Sequence, residues 1–143
     1  MIRVMVAMQG RLYSEGLRSL IESATGGMEV AGVAGEDEHP YALAERLMPG
    51  IILTDTKTIA ASFPGGAPKG IRLLVIGSER EDLAELILNG TVCGALHDSS
   101  GVLTLETAVR AVSMGVVWME GAWPKRRKEG SLPEADPPGP VPA

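Results

Sequence analysis

The chain has 143 residues and a mass of 15.0 kDa, with 45% hydrophobic and 22% charged residues, which is the size and composition of one ordinary globular domain whose core needs no staple. Residues 1–120 hold 9 Lys/Arg against 15 Asp/Glu, a net of minus six, while 121–143 hold 4 against 3, a net of plus one; an acidic body repels phosphate backbones and makes nucleic acid a poor default partner. A single cysteine, Cys93, excludes an intrachain disulfide or thiolate cluster, and no apolar run reaches the ~18 residues of a spanning helix, so the expected address is the cytoplasm.

Ile2 to Ala7, IRVMVA, is a near-continuous apolar run of strand length, suited to burial on both faces. Tyr13, Leu17, Leu20, Ile21 and Ala24 then recur at helical spacing with Glu15, Arg18 and Glu22 opposite, and Gly26-Gly27 stop the helix. Met28 to Ala34 reads as a second strand. Glu36, Asp37 and Pro40 open a short helix that carries Leu43, Leu47 and Met48 and closes at Pro49-Gly50. Ile51 to Leu53 begin a third strand ending at Asp55.

Only fifteen residues, Thr56 to Gly70, join Asp55 to Ile71, and Pro64, Gly65, Gly66, Pro68 and Gly70 are among them. A parallel crossover usually takes a dozen residues or more with a helix inside, so the third helix has two turns at most, over Thr58 to Phe63, and the rest is expected to cover or collapse onto the Asp55 pocket. Ile71 to Ile76 make a fourth strand, Asp82 to Leu88 a helix stopped by Asn89-Gly90, and Thr91 to Leu96 a weak fifth strand. Asp98, Ser99 and Ser100 are cap candidates for a last helix faced by Val102, Leu105, Val109 and Val112. Met5, Met28 and Met48 fall at predicted core positions, where methionine fills gaps. Six of the ten prolines lie between Pro124 and Pro142, so 121–143 reads as a disordered tail or linker after a domain of residues 1–120.

This alternation predicts an α/β fold, a five-stranded doubly wound parallel sheet with helices on both faces and a shortened or missing third helix. Ligands of such sheets bind outside the carboxyl ends of the strands. The candidate site residues are therefore Met8, Gln9 and Gly10 after strand one, Asp55 and Thr56 after strand three, Gly77 and Ser78 after strand four, and His97 and Asp98 after strand five. No G-x-G-x-x-G, P-loop or G-x-S-x-G occurs, and Gly10 and Gly16 have the wrong spacing for a dinucleotide fingerprint.

The runs IRVMVAMQGRLYSEGLRSLIES, MEVAGVAGEDEHPYALAERLMPGIILTD, IRLLVIGS and AVRAVSMGVVWME resemble the receiver domains of two-component response regulators, closest to the NarL-type branch, over roughly residues 2 to 119. The resemblance implies a CheY-like fold, a cytoplasmic signalling role, no enzyme, and a phosphoacceptor at Asp55. It also implies protein partners: a histidine kinase, another regulator, or a second copy paired through the first and last helices or through helix four, strand five and helix five.

This sequence departs from the family pattern at the other site positions. The acidic pair that holds Mg2+ aligns with Met8 and Gln9, a soft thioether and a neutral amide. The hydroxyl residue after strand four aligns with Gly77, with Ser78 one place later. The lysine after strand five aligns with His97, and the switch aromatic on that strand with Gly94. Without the metal, the charge on a transferring phosphoryl group has no clamp. The resemblance so corrected implies a pseudo-receiver, with no catalytic residue and no metal or other cofactor, acting by protein–protein interaction as a possible homodimer.

Other readings stand beside this one. Asp55 also reads as a helix cap. A NarL-type transcriptional regulator still phosphorylated at Asp55, or a small-ligand sensor using the vacated pocket beneath Thr56 to Gly70, are the alternatives. If the chain is complete, 23 residues after Glu120 cannot build a helix-turn-helix; if it is a fragment of a longer DNA-binding regulator, PKRRKEGSLPEADPPGPVPA is an interdomain linker and nucleic acid returns as a partner. Lys125 to Lys128 reads as a solvated start of that linker, Cys93 as a small buried hydrophobe, and no membrane partner is expected.

Overall fold

In the computed structural model, the described residues are 1–24, 26–78 and 80–120. The expectation for 121–143 lies outside them. The elements, in chain order, are β1 (Ile2–Ala7), α1 (Arg11–Ser23), β2 (Met28–Val33), α2 (Pro40–Leu47), β3 (Ile51–Thr54), α3 (Thr56–Ser62), β4 (Arg72–Gly77), α4 (Leu83–Leu88), β5 (Gly94–His97), α5 (Val102–Ser113) and β6 (Trp118–Met119). All six strands join one parallel sheet in the order β2-β1-β3-β4-β5-β6.

Because side chains alternate across a strand, the two faces are two separate cores. Val4, Val6, Ile51, Leu53, Leu74, Ile76 and Leu96 face α1 and α5, which contribute Leu17, Ile21, Leu105, Val109 and Val112. Met5, Ile52, Leu73, Val75 and Ala95 face α2, α3 and α4, which bring Leu43, Ala44, Ile59 and Leu83. The central strands are buried on both sides, which is why β1, β3 and β4 read as continuous aliphatic runs.

The sheet has six strands rather than five. The additional strand, β6, comes after the last helix, where Trp118 and Met119 pair with Gly94 and Ala95 along the outer edge of β5. Two residues carry too little periodicity to read as a strand. The fifth strand itself is Gly94–His97; Thr91 and Val92 instead donate to the Leu86 carbonyl at the end of α4.

The third helix is shortened and present. α3 has seven residues and starts two positions earlier than the spacing suggested, because Asp55 caps it. Ile59 and Phe63 then enter the α2–α4 core; Phe63 is fully buried, its ring 6.1 Å from that of Tyr41. The crossover is thus pinned to the sheet face by an aromatic anchor instead of lying as a loop over Asp55.

Three smaller expectations are also corrected. Met48 is not a core residue: it is 59% exposed, in the left-handed conformation that ends α2. Val102 is 42% exposed while Leu105, Val109 and Val112 are buried, so the apolar face of α5 begins one turn later. The N-cap of α5 is Gly101, with no side-chain cap bond, which leaves Ser100 for another contact.

Candidate functional site at the carboxyl ends of the strands

Asp55 ends β3 and caps α3 in one move. The first N–H groups of a helix have no partner within it, and a short carboxylate supplies one. Its Oδ1 accepts from the Thr58 N–H at 2.7 Å. Its Oδ2 accepts from the Gln9 N–H at 2.6 Å. Both oxygens are therefore held by backbone donors, and the carboxylate ties the end of β1 to the end of β3 with charge-assisted bonds.

Met8 is partly buried against the α1–α5 core, and its carbonyl accepts from the Ser14 hydroxyl at 3.3 Å. Gln9 is exposed and contributes its backbone N–H. Gly10 has φ +91, a conformation few side chains adopt, and lets the chain turn into α1. The magnesium ion of receiver domains needs hard oxygen ligands, chiefly carboxylates. Here the strand-one positions offer a thioether and an amide, and the Asp55 oxygens are turned onto N–H groups. These residues do not fit that ion. Among the described residues, no group of three or more His, Cys, Asp or Glu is placed to hold a metal.

Gly77 ends β4, and the space a side chain would take there is filled by Glu81. A Cβ on Gly77 would collide with Glu81 Oε1 and lie 2.9 Å from Leu83 Cδ2. Glu81 Oε1 accepts from the Ser78 N–H at 2.9 Å, and Oε2 accepts from the Thr56 hydroxyl. The Ser78 hydroxyl accepts from the Arg80 N–H at 3.2 Å. A second carboxylate thus joins the end of β3 to the end of β4. Serine followed three places later by glutamate is the spacing of a capping box, a readable signal for Glu81.

At β5 the pattern repeats. The His97 N–H donates to Glu120 Oε1 at 2.8 Å, the Ser100 hydroxyl donates to the same oxygen, and the Asp98 N–H donates to the Gly77 carbonyl at 2.8 Å. A Cβ on Gly94 would lie 2.8 Å from Leu74 Cδ1, 2.9 Å from Val112 Cγ2 and 3.3 Å from Trp118 Cβ, so the strand has no room for an aromatic there. Cys93 is partly buried and packs against the α1–α5 core, as a small hydrophobe does.

Tyr13 is a member of this site that its place in the helix pattern concealed. Its hydroxyl is pushed above the usual phenol range by burial, then by the nearby charges of Asp98 and Asp55. The residues brought together at the strand ends are therefore Asp55, Thr56, Ser78, Glu81, His97 and Tyr13. A cleft of about 880 Å³ lies to one side, lined in part by Gln9, Arg11, Ser14, Arg18, Gly35 and Thr58. It runs along the ends of β1 and β2, takes in Met8 and Gln9 together with Thr58 and Ser62 of the Thr56 to Gly70 segment, and does not reach Gly77, Ser78 or His97.

No protein-family model matches the sequence, and no curated protein matches it by sequence. Solved structures match it in shape. A LuxR-family two-component response regulator from Aurantimonas sp. superposes with a TM-score of 0.67 at 21% identity, over 82% of this chain and 88% of that one. The isolated receiver domain of RcsB from Salmonella enterica serovar Typhimurium gives 0.63 at 16% identity, over 84% and 93%. The chain has the receiver fold. It also matches RcsB solved as two dimers bound to two parallel DNAs, with a TM-score of 0.60 at 18% identity over 83% of this chain, but spans 63% of that longer chain. Among the described residues no helix is long and apolar enough to cross a membrane.

Proposed function

We propose that this receiver-fold domain is a pseudo-receiver: a signalling module that works through protein contacts and does not transfer a phosphoryl group at Asp55. One observation carries the reading. Both Asp55 oxygens accept backbone N–H bonds, which supports a structural role for the carboxylate as the tie between the end of β1 and the start of α3. Two others support it: the strand-one positions hold no carboxylate, and Glu81 stands in the space beside Gly77 where a hydroxyl would steady the transferred group. The electrostatic clamp that phosphoryl transfer depends on is missing at each point.

Contact with a second copy is the form of interaction the surface favours. Leu12 on α1 is 88% exposed and Leu103 on α5 is 78% exposed, and these helices pack on the same face of the sheet. Large apolar side chains on adjacent helices suit a two-fold pairing. The fold match to RcsB, solved as dimers, points the same way. Light scattering at two concentrations is expected to show a mass that rises with concentration and falls in a Leu12→Ser/Leu103→Ser variant.

The phosphotransfer half is tested by incubating the protein with a small phosphodonor and Mg2+ and measuring the intact mass. The expected result is no adduct. A stable phosphoryl group mapped to Asp55 would restore the reading of a conventional regulator.

A further inference from the structure

The segment after α5 does more than close the sheet. Gly115, with φ +90, turns the chain back, and Trp118 and Met119 lie along the outer edge of β5. The Trp118 N–H donates to the Cys93 carbonyl at 3.2 Å and the Glu120 N–H to the Ala95 carbonyl at 3.3 Å, at the upper end of the usual range. Trp118 is partly buried against the α1–α5 core, with its Cβ where a side chain on Gly94 would press. Its indole N–H is buried and finds no acceptor among the described residues.

A strand of two residues has few ladder bonds to hold it, and the indole N–H without an acceptor among the described residues weakens its packing further. What fastens it is Glu120, whose carboxylate accepts from the His97 N–H and the Ser100 hydroxyl on the loop between β5 and α5. That loop also reaches β4, because the Asp98 N–H donates to the Gly77 carbonyl. The candidate site and the segment that leads into residues 121–143 thus share one carboxylate.

We propose that Trp118 to Glu120 form a releasable latch, fastened by Glu120, that couples the β5–α5 loop of the candidate site to the outer edge of the sheet. With the latch closed, the edge of β5 is covered and the Trp118 ring is packed. With it open, the edge hydrogen bonds and the ring are exposed together. Any contact that displaces the His97 to Ser100 loop would bias the two states, which gives a domain without phosphotransfer a physical route for output. The latch does not depend on the pseudo-receiver reading: a phosphorylated Asp55 would leave it in place.

The test uses the full chain in a Trp123→Phe background, so that Trp118 is the one tryptophan. Ser100→Ala removes a contact to Glu120 from a residue far from Trp118 in sequence. It should redshift Trp118 emission and speed exchange of the Trp118 amide by about tenfold, while amides of the β1–β3 ladder keep their protection. Glu120→Ala should do the same more strongly. Unchanged Trp118 emission and exchange in both variants would overturn the latch. Loss of protection that is equal across the whole sheet would overturn it too, since the segment would then not open as a unit.

Discussion

The sheet interior and its carboxyl rim solve opposite problems. In the interior, Ile51, Ile52 and Leu53 of β3 and Leu74 and Val75 of β4 are fully or almost fully buried aliphatics that hold the strands together by area alone. At the rim the strands end, their backbone groups lose ladder partners, and polar side chains take over. Asp55 joins β1 to β3, Glu81 joins β3 to β4, and Glu120 joins the β5–α5 loop to the edge segment. The interior is what any receiver fold requires. The rim differs, with carboxylates used as staples where the fold usually keeps reactive or metal-binding groups. The comparison teaches that a rim can trade its usual polar groups for others without cost to the fold, provided the backbone donors there find acceptors.

The largest effect should come from the place where interior packing anchors the shortened helix α3. Phe63 is the anchor of the shortened crossover, and Phe63→Ala is expected to cost about 3–5 kcal/mol in urea unfolding. A loss below about 1 kcal/mol would mean the segment is held by its loop and not by its ring.

At the rim, restoring the hydroxyl should be unfavourable. Gly77→Thr would displace Glu81 from Ser78 and Thr56, with an expected cost of about 1 kcal/mol. In a Glu81→Ala background that cost should fall, since only the end of the Leu83 side chain must then give way. Equal costs in both backgrounds would show the two positions to be independent.

The smallest effect is a titration. Because the Tyr13 phenol in the folded protein loses its proton at a higher pH than in the unfolded chain, the folded state binds more protons between those two values. Its contribution to stability is complete below the unfolded value of 10.0 and is lost as pH rises through the folded one. Phenolate absorbance of a Tyr41→Phe variant should show Tyr13 titrating above 10.0, and Asp98→Asn should lower that midpoint. No change on Asp98→Asn would remove Asp98 from the neighbourhood of the ring.

The interior was largely legible in sequence and the rim was not, for a physical reason. Apolar runs and helical spacing report burial directly, so β1, β3, β4, α1 and the core face of α5 follow from Ile2 to Ala7, Leu17 and Ile21, and Leu105 to Val112. Asp55 was legible twice over, as the aligned acceptor and as a cap, and the cap bond is present. Tyr13, Glu120 and the bridge from Glu81 to Thr56 escaped because they depend on contacts distant in sequence, while the local bond from Ser78 to Glu81 has a readable spacing. Glu120 reaches His97 from 23 residues away, and Thr56 meets Glu81 across 25. Met48 misled because an apolar residue at a helix end can be spent on a left-handed turn.

The central claim is that Asp55 is a staple and not a reacting group, and the stability of Asp55→Ala tests it most directly. Removing an acceptor that serves two backbone N–H groups should destabilise the protein by about 1–2 kcal/mol in urea unfolding. A carboxylate kept for chemistry behaves otherwise. If Asp55→Ala leaves stability unchanged or raises it, the two hydrogen bonds hold nothing together and the account is wrong.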